Sequence, residues 1–323
     1  MRTMSGGTTQ MTVIERRRLL KLAAATGLGA GAAALAKPAI SAANVEWRLV
    51  TSWPKGAPGV GVSAQRFADT VAALSGGRMT IRLFGAGELA PPFEVFDTVA
   101  LGNAECAHTT PYYASGKNPA ANYFTTLPFG MSATEHAAWL RFGGGQELWE
   151  RLYAPFGVFP LYAGNSGVQA AGWFRKPINS LQDLSGLRMR IAGVGGETMR
   201  RVGVTPVLMP PGEIFTAMSS GAVDAAEWVG PWNDLAFGLF RVAKYYYLPA
   251  FHEPGAGLEI VVNRAAFDAL PADLQQAVRG AAAITAADTL SDFTYHNALA
   301  LPEVAAKEGV IIGALPEDVI TAL

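Results

Sequence analysis

Cysteine is almost absent from this chain: Cys106 is the only one among 323 residues. A single thiol excludes an internal disulfide and any metal centre built from several cysteines, and its expected place is a small buried position on a strand. Histidine is nearly as scarce. His108, His136, His252 and His296 lack the spacing of zinc ligands, and neither a His-Glu-x-x-His helix nor a Gly-x-Ser-x-Gly elbow occurs. Gly193-Val194-Gly195-Gly196 lacks the last spaced glycine of a dinucleotide fingerprint and is expected to be a strand-to-helix turn. Charged residues are few, 16% against 50% hydrophobic, which excludes a disordered chain and supplies a substantial core. No internal repeat or low-complexity tract is present, and the length suits two domains or one large one.

The first forty-three residues read as an export signal. Arg16-Arg17-Arg18-Leu19-Leu20-Lys21 resembles the twin-arginine consensus, and a weakly hydrophobic Ala/Gly-rich run from Leu22 to Ala36 follows it. That run has fifteen residues, short of the roughly 20 a spanning helix needs. Ser41-Ala42-Ala43 offers small residues to a signal peptidase, so the mature chain is expected to begin near Asn44, outside the cytoplasm in the periplasm. Without the six basic residues and one acid of that segment, the 25 basic and 26 acidic residues of the chain fall to 19 and 25, a net charge near −6. That balance argues against nucleic acid as a partner.

The remainder reads as α/β. Val45 to Ser52 alternates as a strand, Val60 to Leu74 has helical apolar spacing, and Arg78 to Phe84 is a second strand, a parallel unit. A short helix over Phe93 to Leu101, a strand over Ala104 to Thr109 and a helix capped at Ser132-Ala133-Thr134-Glu135 and broken near Gly143 follow. Further strands are expected over Gly157 to Ala163, Gln169 to Arg175, Leu187 to Ile191, Tyr245 to Leu248 and Leu258 to Asn263. The longest helical pattern begins at Ala272 and is expected to end near Leu301. In Leu187 to Ile191 the alternation puts Arg188 and Arg190 on one face, and an arginine at a strand's carboxyl end can fork two hydrogen bonds onto a carboxylate. Tyr112-Tyr113, just past a strand end, can present hydroxyls.

Between Asp224 and Asp234 a carboxylate, two indoles and two backbone breakers fall together. Glu227-Trp228 reads as a strand end, Gly230-Pro231 as a turn, and Asn233 as the cap of a following helix. Alone, Glu227-Trp228 fits a core edge better than a site. His252-Glu253 lies on a loop, as a hydrogen-bonding pair or a catalytic one.

Taken together these motifs resemble the extracytoplasmic substrate-binding proteins of tripartite ATP-independent periplasmic (TRAP) transporters. The resemblance is carried by Leu187-Arg188-Met189-Arg190, the Pro210 to Met218 helix, Gly221 to Glu227 and the long helix from Ala272, and it covers residues 45–315. Glu227-Trp228-Val229-Gly230-Pro231, Tyr112-Tyr113 and His252-Glu253-Pro254-Gly255 look most like the branch that binds 2-oxo acids and related monocarboxylates. The resemblance implies a two-lobed periplasmic-binding-protein fold with crossing segments, a hinge and a closing cleft. Its first lobe would comprise residues 44–167 and 256–295, its second 168–255 and 296–323. It implies that Arg190 clamps a ligand carboxylate, that Asn165, Tyr112, Tyr113, Gln169, Trp228 and Glu253 contact the ligand, and that a sodium or calcium ion bridges it to Gln169, Glu227 and the Trp228 carbonyl. It implies a small carboxylate and membrane permease subunits as partners. Relatives of that branch usually continue past the position of Leu323 with a helix that can be exchanged between subunits, so either a homodimer by that route is not expected or the sequence is incomplete.

A physical argument supports the cation. Two carboxylates about 4 Å apart repel by roughly 4 kcal/mol at an effective dielectric near 20, so a ligand carboxylate beside Glu227 calls for added positive charge. Gln, Glu and carbonyl oxygens suit a hard cation. The competing class is an exported α/β enzyme acting on a small carboxylate, which would convert its ligand.

Overall fold

The computed structural model describes residues 44–323, so the expected export signal lies outside the described residues. In chain order the regular elements are β1 (Val45–Thr51), α1 (Val60–Leu74), β2 (Met79–Phe84), α2 (Val95–Ala100), β3 (Cys106–Thr109), α3 (Ala133–Phe142), α4 (Gly145–Tyr153) and β4 (Val158–Asn165). Then come β5 (Gly172–Phe174), β6 (Arg188–Arg190), α5 (Gly193–Arg201), β7 (Thr205–Val207), α6 (Ile214–Ser220), β8 (Ala225–Ala226), α7 (Pro231–Phe237) and β9 (Tyr245–Tyr247). The last are β10 (Gly257–Asn263), α8 (Arg264–Asp268), α9 (Ala272–Ala305), β11 (Ile311–Gly313) and α10 (Glu317–Ala322).

Two mixed sheets result. The first runs β2-β1-β3-β10-β4, with β1 parallel to β2 and β3 and with β10 antiparallel to both neighbours. Its inner strands β3 and β10 bury both faces, as strands covered by helices must, whereas edge strand β2 leaves Thr80 and Arg82 exposed. Trp47, Leu49, Ile260 and Val262 pack with Phe67, Val71 and Val278 of α1 and α9 on one side. Val50, Ala107 and Val261 pack with Phe96, Trp149 and Tyr153 of α2 and α4 on the other. Truncating a fully buried ring such as Phe67 to alanine would cost about 3–5 kcal/mol. The second sheet runs β11-β9-β5-β8-β6-β7. The chain thus leaves the first sheet after β4, returns to it once as β10, and ends beside the second, giving the two-lobed α/β fold.

Local chemistry explains most boundaries. Ser132 makes a full capping box with Glu135, and Gly144, at φ 81°, separates α3 from α4. Three expectations are corrected. Helix α7 begins at Pro231 with Gly230, whose backbone is extended, at the cap position, so Asn233 lies inside α7 and caps nothing. The glycine run is the first turn of α5 rather than a turn ahead of it. Helix α9 passes Leu301 and continues through Pro302 to Ala305, because Val304 is fully buried in the second lobe's core and holds the last turn in place. With 34 residues α9 is about 51 Å long. Its Val278, Ala281 and Ala282 belong to the first core, while Phe293 and Val304 belong to the second. Gly59 makes that crossing possible: its φ is 64°, and a Cβ there would meet the Phe293 ring.

Candidate functional site

Strand pairing creates the centre of the site. Parallel β6 and β8 pair Arg190 with Ala226, and the Glu227 amide donates to the Arg190 carbonyl at 3.0 Å, so Arg190 and Glu227 emerge side by side at the strand ends. Nη1 of Arg190 forms an ion pair with Glu227 Oε1 and also donates to the Glu227 carbonyl at 2.9 Å. Neither side chain is more than 1% exposed. Arg188 and Arg190 share a face as expected, but they differ in depth. Arg188 is half-exposed and pairs with Asp224, whereas Arg190 is wholly covered and its guanidinium carbon lies 5.5 Å from the Trp228 ring centroid.

The segments linking the two sheets complete the arrangement. Asn165 ends β4, accepts from the Gly167 amide at 2.9 Å and leaves its Nδ2 without a partner. Gln169 is held by backbone, its amide donating to the Glu253 carbonyl at 3.1 Å and its carbonyl accepting from Ala250 at 2.8 Å. Its Nε2 donates to Ser166 Oγ at 2.9 Å, which leaves Oε1 without a partner. On the return segment His252 Nε2 lies 3.8 Å from Glu227 Oε2, and Glu227, His252 and Glu253 place ligand atoms within 4.8 Å of one another. Tyr112 and Tyr113 sit on a short 3-10 turn after β3 with ring centroids 4.9 Å apart. A small cavity of about 20 Å³ is lined by Tyr112, Tyr113, Gln169 and Trp228, and also by Trp53, Ser166 and Leu258.

The electrostatics separate the two glutamates. Burial opposes ionisation of Glu227, but Arg190, His252 and the Ala192 amide outweigh it and hold its carboxyl below the usual range. Glu253 has no such partner: burial, then the charge of Glu227, pushes it well above the usual range, against the pull of Arg190. Burial likewise raises Tyr113 to about 12. Beside Glu227, then, stands a second buried carboxyl whose charged form is disfavoured.

The atoms left unpartnered share one chemistry. Arg190 Nη2, Gln169 Oε1, Glu227 Oε2, Glu253 Oε2 and the Tyr113 hydroxyl are all buried without a hydrogen-bond partner. Among the described residues no donor reaches the Trp228 carbonyl either. Buried polar atoms are nearly always satisfied, and leaving one bare costs about 1–3 kcal/mol. So many together mark a space shaped for something polar. The oxygens of Gln169, Glu227 and Trp228 fit a hard cation, and Arg190 Nη2 fits an anion.

Of the nominated residues Tyr112, Tyr113, Gln169 and Trp228 line the cavity, Arg190, Glu227 and Glu253 form the buried charged cluster, and Asn165 ends β4. Trp53, Ser166 and Leu258 carry no local signal in the sequence, and His252, legible there only as the neighbour of Glu253, stands beside Glu227 as well.

Residues 49–322 match the model of bacterial extracellular solute-binding protein family 7. The monocarboxylate 2-oxoacid-binding periplasmic protein of Nostoc sp. is 43% identical over 81% of this chain and 72% of its own length. A TRAP transporter solute-binding protein from Bordetella bronchiseptica RB50, a dimer with calcium and picolinate, is 39% identical with a TM-score of 0.84, covering 86% of this chain and 83% of that one. Another, from Pseudoalteromonas atlantica T6c with sodium and pyruvate, is 39% identical with the same TM-score over 86% and 85%. On this evidence the chain belongs to bacterial extracellular solute-binding protein family 7, the solute-binding proteins of TRAP transporters.

Proposed function

We propose that this protein captures a short 2-oxo acid of the pyruvate class, together with a sodium or calcium ion, and delivers it unchanged to membrane permease subunits. The observation that carries the reading is the set of bare buried atoms, a donor at Arg190 Nη2 and acceptors at Gln169 and Glu227. Arg190 keeps Nη1 on Glu227 and offers Nη2 to the ligand carboxylate, with Tyr113, Tyr112, Asn165 and Glu253 as further polar contacts. Gln169 Oε1, Glu227 Oε2 and the Trp228 carbonyl hold the cation, which offsets the repulsion between Glu227 and the incoming carboxylate. Lobe one (residues 44–167 and 256–295) and lobe two (168–255 and 296–323) close over the ligand, and the permease reads the closed form. Export by the twin-arginine route places the protein in the periplasm. A homodimer, as in the Bordetella bronchiseptica relative, is compatible with this scheme but not needed by it.

Titration of pyruvate into the protein, followed by tryptophan fluorescence, tests the reading. Binding is expected in sodium or calcium and at least 10-fold weaker after chelation in a sodium-free buffer. Unchanged affinity would remove the cation. His252 beside Glu227 is the one feature an enzyme would also show; recovery of chemically altered pyruvate after equilibrium dialysis would favour that class.

A further inference from the structure

Asp234 is fully buried on the first turns of α7, yet it touches neither the cavity nor Arg190. Its Oδ2 accepts from Trp173 Nε1 at 3.1 Å and from the Tyr246 hydroxyl at 2.8 Å, donors on β5 and β9 whose rings stack 4.2 Å apart. Its Oδ1 accepts from the Val229 amide at 3.3 Å. An acid this deep is costly unless each oxygen is used, and here two strands fix one oxygen so that the other faces a single peptide group.

That peptide group is the one that carries the Trp228 carbonyl. Because a trans peptide is planar, the Val229 N–H and the Trp228 C=O point in opposite directions. An acceptor holding the N–H therefore aims the carbonyl away from Asp234, and a hydrogen bond accepted from the N–H also polarises the amide and enriches its oxygen. The following peptide is tied as well: the Ala170 amide donates to the Val229 carbonyl at 2.9 Å, linking this wall to the residue next to Gln169.

We propose that Asp234 is a positioning residue for cation binding, orienting and polarising the Trp228 carbonyl through the Val229 amide. The proposal rests on the cation reading above and assigns to it a partner one bond removed from the ligand atoms, the kind of outer contact that tunes affinity about 10–100-fold at metal sites.

Asp234→Asn keeps the shape, but an amide cannot accept at both ends: it satisfies either Val229 or the Trp173–Tyr246 pair. The sodium concentration giving half-maximal pyruvate binding is expected to rise at least 10-fold in this variant, with pyruvate affinity at saturating sodium changed less than 3-fold. Tyr246→Phe, which spares Oδ1, is expected to shift the melting temperature without moving the sodium midpoint. An equal sodium midpoint in wild type and Asp234→Asn overturns this inference alone; pyruvate binding by wild type with no sodium dependence overturns both it and the cation reading. Should Asp234→Asn not fold, the wild-type protein still decides: sodium titration followed by NMR is expected to move the Trp228 carbonyl carbon and the Val229 amide proton together, and a Val229 amide that stays still overturns the proposal.

Discussion

At the scale of single residues the division of labour within one guanidinium matters most. Nη1 of Arg190 serves the protein, through the side chain and carbonyl of Glu227, and Nη2 is unspent. An alanine at this position would leave Glu227 as a buried, uncompensated charge, which costs about 3–5 kcal/mol, so lost binding in that variant would carry little meaning. Lysine separates the two roles, since an ammonium can pair with Glu227 but lacks the planar fork. Arg190→Lys is expected to lower the melting temperature by only a few degrees while weakening pyruvate binding at least 100-fold. Near-native affinity by titration calorimetry would show that Nη2 does not hold the ligand.

At the scale of elements, helix α5 presses its first turn against the return segment. A Cβ at Gly195 would lie 2.6 Å from the Cβ of His252, a contact between groups close to the backbone that cannot swing aside. Helix propensity alone predicts that Gly195→Ala stabilises by about 1 kcal/mol. The packing reverses that sign. Unfolding in urea is expected to show a loss of about 1–3 kcal/mol, and pyruvate affinity is expected to fall several-fold as His252 and Glu253 move; a more stable variant would deny the contact. How much of this could be read from sequence depends on what kind of signal each element carries. Helix α1 has the bounds its apolar spacing predicts, Val60–Leu74, because a fifteen-residue amphipathic pattern is strong. Strands β7 and β11 went unseen, being three residues each, one with Pro206 inside and one largely exposed. Arg190 is legible from its strand-end position and Glu227 from the family resemblance, but their ion pair is not, because it follows from the register of β6 against β8 across 37 positions of chain. The role of Asn233 failed for a related reason. It spends its side chain on the Pro58 carbonyl at 2.8 Å, a contact between distant segments that no capping rule anticipates.

For the molecule as a whole, buried acids make global stability depend on pH in a direction opposite to that of ordinary surface ion pairs. Burial raises Glu259 on β10 to about 8, against one hydrogen bond donated by Tyr153 at 3.0 Å, and it raises Asp234 to about 7. Glu253 moves the same way, and Glu227 the other. A carboxyl whose folded value lies above its unfolded one binds more protons in the native state throughout the interval between the two values. Its contribution is therefore complete below the unfolded value, near 4.5, and is lost as pH climbs through 8. The slope from one such group reaches about 1.4 kcal/mol per pH unit. Glu259 is the informative member of the set, because it sits inside the first lobe's core beside Tyr153 and lines no part of the cleft cavity. Glu259→Gln keeps the size and an acceptor for Tyr153 but cannot ionise. Wild-type stability in urea is expected to fall between pH 5.5 and 7.5, and the variant is expected to show a fall smaller by about 2–3 kcal/mol with pyruvate affinity unchanged. Parallel pH profiles for the two proteins would mean that Glu259 is ionised in the native core and that the bare Oε2 has found water.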